Sequence, residues 1–296
     1  MRFSLRQLEV FLATARFENV SRAAIALAMS QSAASGALKE LESQFEVQLF
    51  DRLGKRLQLS ELGRQLRPQA ERLLAEAQSF EAALTGEQGA GVLRLGATLT
   101  IGNYLAVPMI AAFRERFPGA EISLQVANTE TIARQVADFE LDLGMIEGEL
   151  NHPQLQTLHW REDELQVFAA PGHPLAGRRS VSDRQLMQLQ WIVREPGSGT
   201  RQTFDRAMHG ILTDLDIAME LQHTEAIKRA VEAGLGVGCL SRISLKEAFF
   251  RGSLVPLPVP QRDFSRQLNL IMHRDKFHAK TLTQWLALCR EYNKEG

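Results

Sequence analysis

Asn19–Phe45 reads NVSRAAIALAMSQSAASGALKELESQF, and its two short helical patterns decide how the rest of the chain is understood. Ser21 precedes the first, with apolar positions at Ala24 and Leu27. Ser30 precedes the second, with Ala34, Leu38 and Leu41. A serine in that place caps a helix by accepting from a backbone N–H left unpaired in the first turn. The residues between leave room only for a tight turn, so the spacing predicts a helix-turn-helix whose second helix enters the DNA major groove. The face of that helix away from its apolar positions carries Gln31, Ser32, Ser35 and Lys39, with Ser30 at its start. These are short hydrogen-bonding or basic groups suited to base edges and phosphates. Ser21 and Arg22 open the first helix on the same side of the motif and are further candidates for DNA contact. The competing reading of this stretch alone is a pair of ordinary small helices in a bundle.

The flanking chain favours DNA. Residues 4–17 (SLRQLEVFLATARF) place Leu5, Leu8, Phe11, Leu12 and Ala15 at a helical period, giving a third helix to complete the core. After Phe45, Gln48-Leu49-Phe50 and Leu57-Gln58-Leu59 read as strands around a turn at Leu53-Gly54-Lys55. Such a hairpin is a wing, and Arg52, Lys55 and Arg56 near its tip are placed to reach phosphates or the minor groove. Ser60 then caps a long helix with apolar residues at Leu62, Leu66, Ala70, Leu73, Leu74, Ala77, Phe80 and Leu84. Some 25 residues span about 38 Å, too long for one small winged domain to cover. A stripe of this kind pairs with another copy of itself. Pro68 removes a backbone donor within it and is a candidate kink. Thr85–Gly91, with three glycines in seven residues, is a linker.

With 296 residues the chain has room for two or three domains, and 45% hydrophobic with 23% charged residues is a globular composition. No apolar run approaches the roughly 20 residues needed to cross a bilayer, and MRFSLRQLEVF lacks the apolar core of a secretory signal. A cytoplasmic location is expected. The net charge of −1 is unevenly spread: residues 1–60 hold eight Lys or Arg against six Asp or Glu. So mild a basic excess calls for more than one copy on the DNA. Cys239 and Cys289 lie in apolar segments and read as buried thiols.

From Val92 strands alternate with helices: VLRLGA, a helix through 106–117, AEISLQVA, TIARQVADFE, LDLGMIEG, LQVFAAP, WIVRE, a helix over 201–212, DIAMEL, a helix over 225–232, VGCLS, LNLIMHR and a final helix over 279–292. That order predicts parallel sheets covered by helices, in one large sheet or two smaller lobes. Three stretches could surround a ligand. Ala97–Asn103 and Glu195–Arg201 each join a strand to a helix, where hydroxyls and free N–H groups favour an anion. Glu147 ends a strand facing the same cleft. It either holds Arg201, accepts a hydrogen bond from a ligand, or is a solvated loop residue. Thr129, at a helix start, is a weaker candidate. Gly234–Gly238 runs from helix to strand, the reverse of a dinucleotide-binding turn, and no phosphate loop, nucleophile elbow or zinc-ligand spacing occurs. No cofactor, metal or catalytic residue is expected.

The whole chain resembles the LysR-type bacterial transcriptional regulators. The residues carrying this are Leu5-Arg6-Gln7-Leu8 with Phe11, Ala23-Ala24, Ser30-Gln31-Ser32-Ala33, Leu41-Glu42, Leu49-Phe50-Asp51-Arg52 and Leu59-Ser60-Glu61-Leu62-Gly63. The resemblance implies a winged helix-turn-helix, mainly α, over 1–60, and a linker and dimerisation helix with hinge over 61–91. Over 92–296 it implies a two-lobed α/β effector domain like a type 2 periplasmic binding protein. Lobe I would take about 92–161 and 269–296, and lobe II about 162–268. It further implies promoter DNA as partner, a homodimer through 61–85 assembling to a homotetramer, RNA polymerase as an additional candidate partner, and no membrane. It aligns Thr98, Thr100, Ser198 and Thr200 with positions that commonly contact effector. Ile101, Gly102, Asn103, Glu195, Gly199 and Arg201 belong to the same two loops. The implied effector is a carboxylate or sulfate-like oxyanion. Gly36-Ala37 departs from the larger polar or basic side chains of many relatives, which shifts specificity toward DNA shape. The rival readings are a two-lobed α/β enzyme or a solute-binding protein, each with an N-terminal interaction module.

Overall fold

In a computed structural model, which describes residues 2–53, 56–84 and 92–294, Ser4 starts helix α1 (Leu5–Phe17) through a reciprocal cap. Its Oγ accepts from the Gln7 N–H while the Gln7 side chain accepts from the Ser4 N–H. Helix α2 (Val20–Ala26) is capped by Asn19, whose side chain accepts from the Arg22 N–H. This corrects the expected Ser21 cap: Asn19 is an equally good acceptor two residues earlier, so the helix begins sooner and Ser21 sits exposed in its first turn. Ala28 turns the chain in the left-handed region, φ 51°, and Ser30 caps α3 (Gln31–Phe45) as expected. Ala34, Leu38 and Leu41 of α3 pack with Val10, Phe11 and Ala24 in one core. Arg6 donates to Leu27 O at 2.7 Å, tying α1 to the turn.

The hairpin consists of β1 (Phe50–Leu53) and β2 (Arg56–Leu59), paired antiparallel. The first strand therefore starts at Phe50 rather than Gln48. There the Glu42 carboxylate of α3 instead accepts the Leu49 and Phe50 N–H groups at 2.7 and 3.3 Å. Lys55 and the linker 85–91 lie outside the described residues, as do the side chains of Arg52 and Arg56. Ser60 caps α4 (Glu61–Leu84) at Gly63 N and donates to Gln48 O. Gly63 is required by close approach, since a Cβ there would lie 2.2 Å from Leu49 O. The helix runs through Pro68. Ala70 is buried, whereas Leu73 and Phe80 are exposed.

The chain divides into two compact units, Met1–Gly91 with Arg274–Thr283, and Val92–His273 with Gln284–Gly296. The second opens with β3 (Leu93–Ala97), α5 (Leu99–Ile101), a π-helical turn (Gly102–Ala106) and α6 (Val107–Arg116). It continues through β4 (Ile122–Val126), α7 (Thr129–Ala137), β5 (Leu143–Glu147), β6 (Leu155–Ala169), α8 (Asp183–Leu186), β7 (Gln190–Arg194) and α9 (Gly199–Ala207). The chain ends with β8 (Asp216–Leu221), α10 (Thr224–Glu232), β9 (Val237–Ser241), α11 (Arg242–Arg251), β10 (Val255–Pro256), β11 (Ser265–His273) and α12 (Lys280–Lys294). The strand order is β4-β3-β5-β11-β6-β9-β7-β8, with β10 beside β6.

The sheet is mixed rather than parallel throughout. β3 runs parallel to β4 and β5, and β7 to β8 and β9, but β11 is antiparallel to both β5 and β6, and β6 to β9. The two antiparallel strands carry the chain between lobes. In β6, residues 155–164 pair with β11, and 165–168 pair with β9. The sequence reading started β6 only at Leu165 because the ten residues before it (LQTLHWREDE) are dominated by polar groups. Helix α11 also escaped it, since Phe250 points to solvent while Leu245 is buried, which blurs the apolar stripe. The helices expected at 106–117 and 201–212 begin earlier, directly after Thr98 and Ser198.

Candidate functional site

In the first unit, Ser21, Arg22, Ser30, Gln31, Ser32, Ser35 and Lys39 are all exposed. Gln31, Ser35 and Lys39 share the outer face of α3, opposite its buried Ala34, Leu38 and Leu41. Ser30 and Ser32 are engaged with each other, 3.0 Å apart. A Cβ added at Gly36 would meet nothing within 4 Å, so packing does not impose the small side chain there.

In the second unit, Thr100, Glu147 and Thr200 converge, all at most 2% exposed. Glu147 Oε1 accepts the Thr100 N–H at 2.8 Å, and Oε2 accepts the Thr200 hydroxyl at 3.0 Å. The group completing the cluster is Arg266, which sequence reading missed. Its Nη1 donates to Glu147 at 2.8 Å and to the Thr200 hydroxyl at 2.9 Å. Its Nη2 reaches the Thr100 hydroxyl at 3.3 Å, and its Nε holds Asp163 at 2.7 Å. Asp163 lies directly opposite Arg266 across β6 and β11 and also accepts from Ser241 at 2.9 Å.

One cation thus faces two buried carboxylates. Burial alone would push the Glu147 carboxyl up, but the charge of Arg266, the Thr100 and Thr200 bonds and the charge of Arg194 hold it down to about 2. Burial likewise opposes the charge on Arg266, and the two carboxylates outweigh it. Glu147 is therefore ionised, buried and fully bonded, which removes the solvated-loop reading. It holds Arg266, not Arg201. Arg201 turns along its own lobe to Asp205 at 2.8 Å, to Arg194 O and to Glu220.

The other candidates divide around this cluster. Thr98 is buried beside Met145 O, and Ile101 and Gly102 are buried, whereas Asn103 is exposed. Glu195 is taken up by Arg194 at 2.7 and 2.9 Å. Thr129 accepts the Gly199 N–H at 3.2 Å and donates to Glu147 O. A Cβ at Gly199 would lie 1.9 Å from Glu147 O, so only glycine allows α9 this close to β5. Thr129, Ser198, Gly199 and Arg201 border an open groove of about 750 Å³ between the lobes, whose lining excludes Thr100, Glu147 and Thr200. The expected site is therefore two places, a buried charged cluster and an outer groove. Among the described residues no three His, Cys, Asp or Glu are grouped to hold a metal.

Arg266 was detectable in principle. Ser265, Gln267 exposed and Arg266, Leu268 buried is a period-two pattern, and extending the strand back from Leu268 places Arg266 on the inner face.

Residues 5–64 match the bacterial regulatory helix-turn-helix family of lysR type, and residues 86–294 match the LysR substrate binding domain. The chain is a LysR-type transcriptional regulator. It is 43% identical over 293 residues, 99% of both chains, to the HTH-type transcriptional regulator YeiE of Escherichia coli. Among solved structures, the Synechocystis CcmR regulatory domain in complex with 2-PG is 28% identical, covering 69% of this chain and 98% of that one, with a TM-score of 0.65. Full-length OxyR from Pseudomonas aeruginosa shares the fold over 99% of this chain and 95% of its own, at 20% identity and a TM-score of 0.74. The regulator thus joins a DNA-binding domain to an effector-binding domain, and the enzyme reading falls with the family assignment. Members of this family bind promoter DNA and small-molecule effectors and form oligomers. No described helix is long and apolar enough to cross a membrane.

Proposed function

We propose that this regulator senses a small anion, a carboxylate or sulfate-like oxyanion, at the Thr100–Thr200–Arg266 cluster between its lobes. The observation carrying this reading is that an anion is already held there by the donors such a ligand needs. A backbone N–H, a hydroxyl and a guanidinium all converge on the Glu147 carboxylate. An effector added beside Glu147 and Asp163 would set a third negative charge against the Arg266 guanidinium, a costly arrangement. The effector therefore replaces the Glu147 carboxylate on these donors, and Glu147 swings away. Thr100 and Glu147 belong to lobe I and Thr200 to lobe II, so the exchange changes how the lobes meet. Only an effector that prefers one arrangement shifts the equilibrium.

The readout lies at the DNA. Two or more copies joined through α4, whose Leu73 and Phe80 are exposed, present paired α3 helices and wings to a cytoplasmic promoter, as a homodimer or homotetramer. Altered subunit orientation changes DNA bend and access for RNA polymerase. The test is a thermal-shift titration of the full chain with sulfate, phosphate and acetate, in wild type, Thr200→Val and Glu147→Ala. Binding stabilises by mass action. An anion that raises the melting temperature of wild type, acts less on Thr200→Val and acts more on Glu147→Ala is the expected result. No anion response in wild type or in Glu147→Ala would remove the anion reading.

A further inference from the structure

The lobes also meet through residues that neither bond Arg266 nor line the outer groove. Tyr104, in the π-helical turn of lobe I, donates its hydroxyl to Glu225 Oε1 of α10 in lobe II at 2.7 Å. Lys228, one turn further along α10, is only 6% exposed. Its ammonium pairs with Glu225 at 2.5 Å, donates to Ser244 O at 3.2 Å and sends its third bond across to the Tyr104 hydroxyl at 3.1 Å. The same ammonium lies 5.7 Å from the centre of the Tyr104 ring.

We propose that Tyr104, Glu225 and Lys228 form a latch that holds the two lobes together through residues other than those of the effector-exchange cluster, and so sets how readily the lobes part. Within lobe II Lys228 has two acceptors for three donors, and a buried ammonium needs all three. Only the apposed lobe supplies the third. A π-helical turn is rare and concentrates at functional sites, and here it presents Tyr104. Burial and then the Glu225 carboxylate raise the phenol above its ordinary range, keeping it protonated as a donor. Burial opposes the Glu225 charge, but the Lys228 and Tyr104 bonds prevail and hold that carboxyl low.

Three backbone amides report lobe separation on the groove side: Glu130 to Gly197 O, Glu149 to the Gln202 side chain and Gly199 to the Thr129 hydroxyl, at 3.2–3.3 Å. In the full chain without effector, Tyr104→Phe should speed hydrogen exchange at these amides about tenfold, with the amides of β3 and β9 unchanged. Glu225→Ala should do so to a smaller extent, since Lys228 still donates to the Tyr104 hydroxyl, and the double variant should match Tyr104→Phe, which already removes both bonds between the lobes. Unchanged exchange at the three amides would overturn the latch. Additive effects would overturn the direct Tyr104–Glu225 coupling, and a uniform increase through both lobes would mark a residue needed for folding rather than closure. Since no effector is used, failure here leaves the anion reading standing, and failure of the anion titration leaves the latch standing.

Discussion

The outer face of α3 and the Arg266 cluster are opposite solutions to recognition. Along α3, Gln31, Ser35 and Lys39 stand exposed with their hydrogen-bonding groups available to DNA. Around Arg266, the guanidinium is already engaged by the Glu147 and Asp163 carboxylates and by the Thr100 and Thr200 hydroxyls. A surface that reads a large, highly charged polymer can leave polar groups in water at little cost. A buried site cannot, because an unpaired charge in a low-dielectric interior is strongly unfavourable. The regulator therefore keeps an internal carboxylate where a ligand would be held. On the proposed reading, the α3 face is open to its partner, whereas the Arg266 cluster is filled and its carboxylate must be exchanged.

That contrast can be broken in five ways. The largest effect is expected at Arg266. Arg266→Leu strands Glu147 and Asp163 without their cation and should cost about 3–5 kcal/mol of stability by urea denaturation. Retention of wild-type stability would show that the cluster is not the buried ion pair described. Acid should weaken the same pair. Because the Glu147 carboxyl is held down to about 2 from 4.5, its stabilisation is complete above about 4.5 and lost as pH falls toward 2. The stability advantage of wild type over Glu147→Gln should shrink across that window.

Next comes Gly199→Ala. Its methyl group would overlap Glu147 O, pushing α9 from β5 at a cost of about 1–3 kcal/mol. Faster exchange at the Glu149 amide would locate the damage at the lobe contact. On the DNA side, Gln31→Ala or Ser35→Ala should leave the melting temperature unchanged and weaken specific promoter binding by about 1 kcal/mol, near fivefold, at fixed salt. Equal affinity by fluorescence anisotropy would remove those side chains from the interface. The smallest effect belongs to Gly36→Ala, which fills open space and should stabilise α3 by up to about 1 kcal/mol. A loss of promoter affinity in that stabilised variant would mean the DNA approaches the backbone at Gly36.

Legibility followed the distance between the residues concerned. The helix-turn-helix was readable because its signals repeat within a few residues: Ser30 before Ala33, and Ala34, Leu38 and Leu41 on one face. Its one error, the cap of α2, came from two good acceptors two residues apart, Asn19 and Ser21. In the effector domain, Thr98, Thr100 and Thr200 were visible as strand-to-helix residues, since a loop followed by a helix is also a local pattern. The cation that joins Thr100 and Thr200 was not: Arg201 is one of the partners the sequence leaves open for Glu147. Arg201 is near Thr200 in sequence, but its place on α9 turns it toward Asp205, while Arg266 arrives from β11.

The sequence by itself determined the motif, the order of elements and the family, because each depends on periodicity, capping and turn chemistry acting over short spans. It also named Glu147 as the ambiguous group of the cleft. Only the tertiary structure decided that Glu147 is buried and ionised, that Arg266 and Asp163 face each other across the crossing strands, and that Tyr104 bridges to α10. Those facts depend on which strand lies beside which. That order is set by burying apolar surface over the whole domain, and no local pattern of charged residues records it.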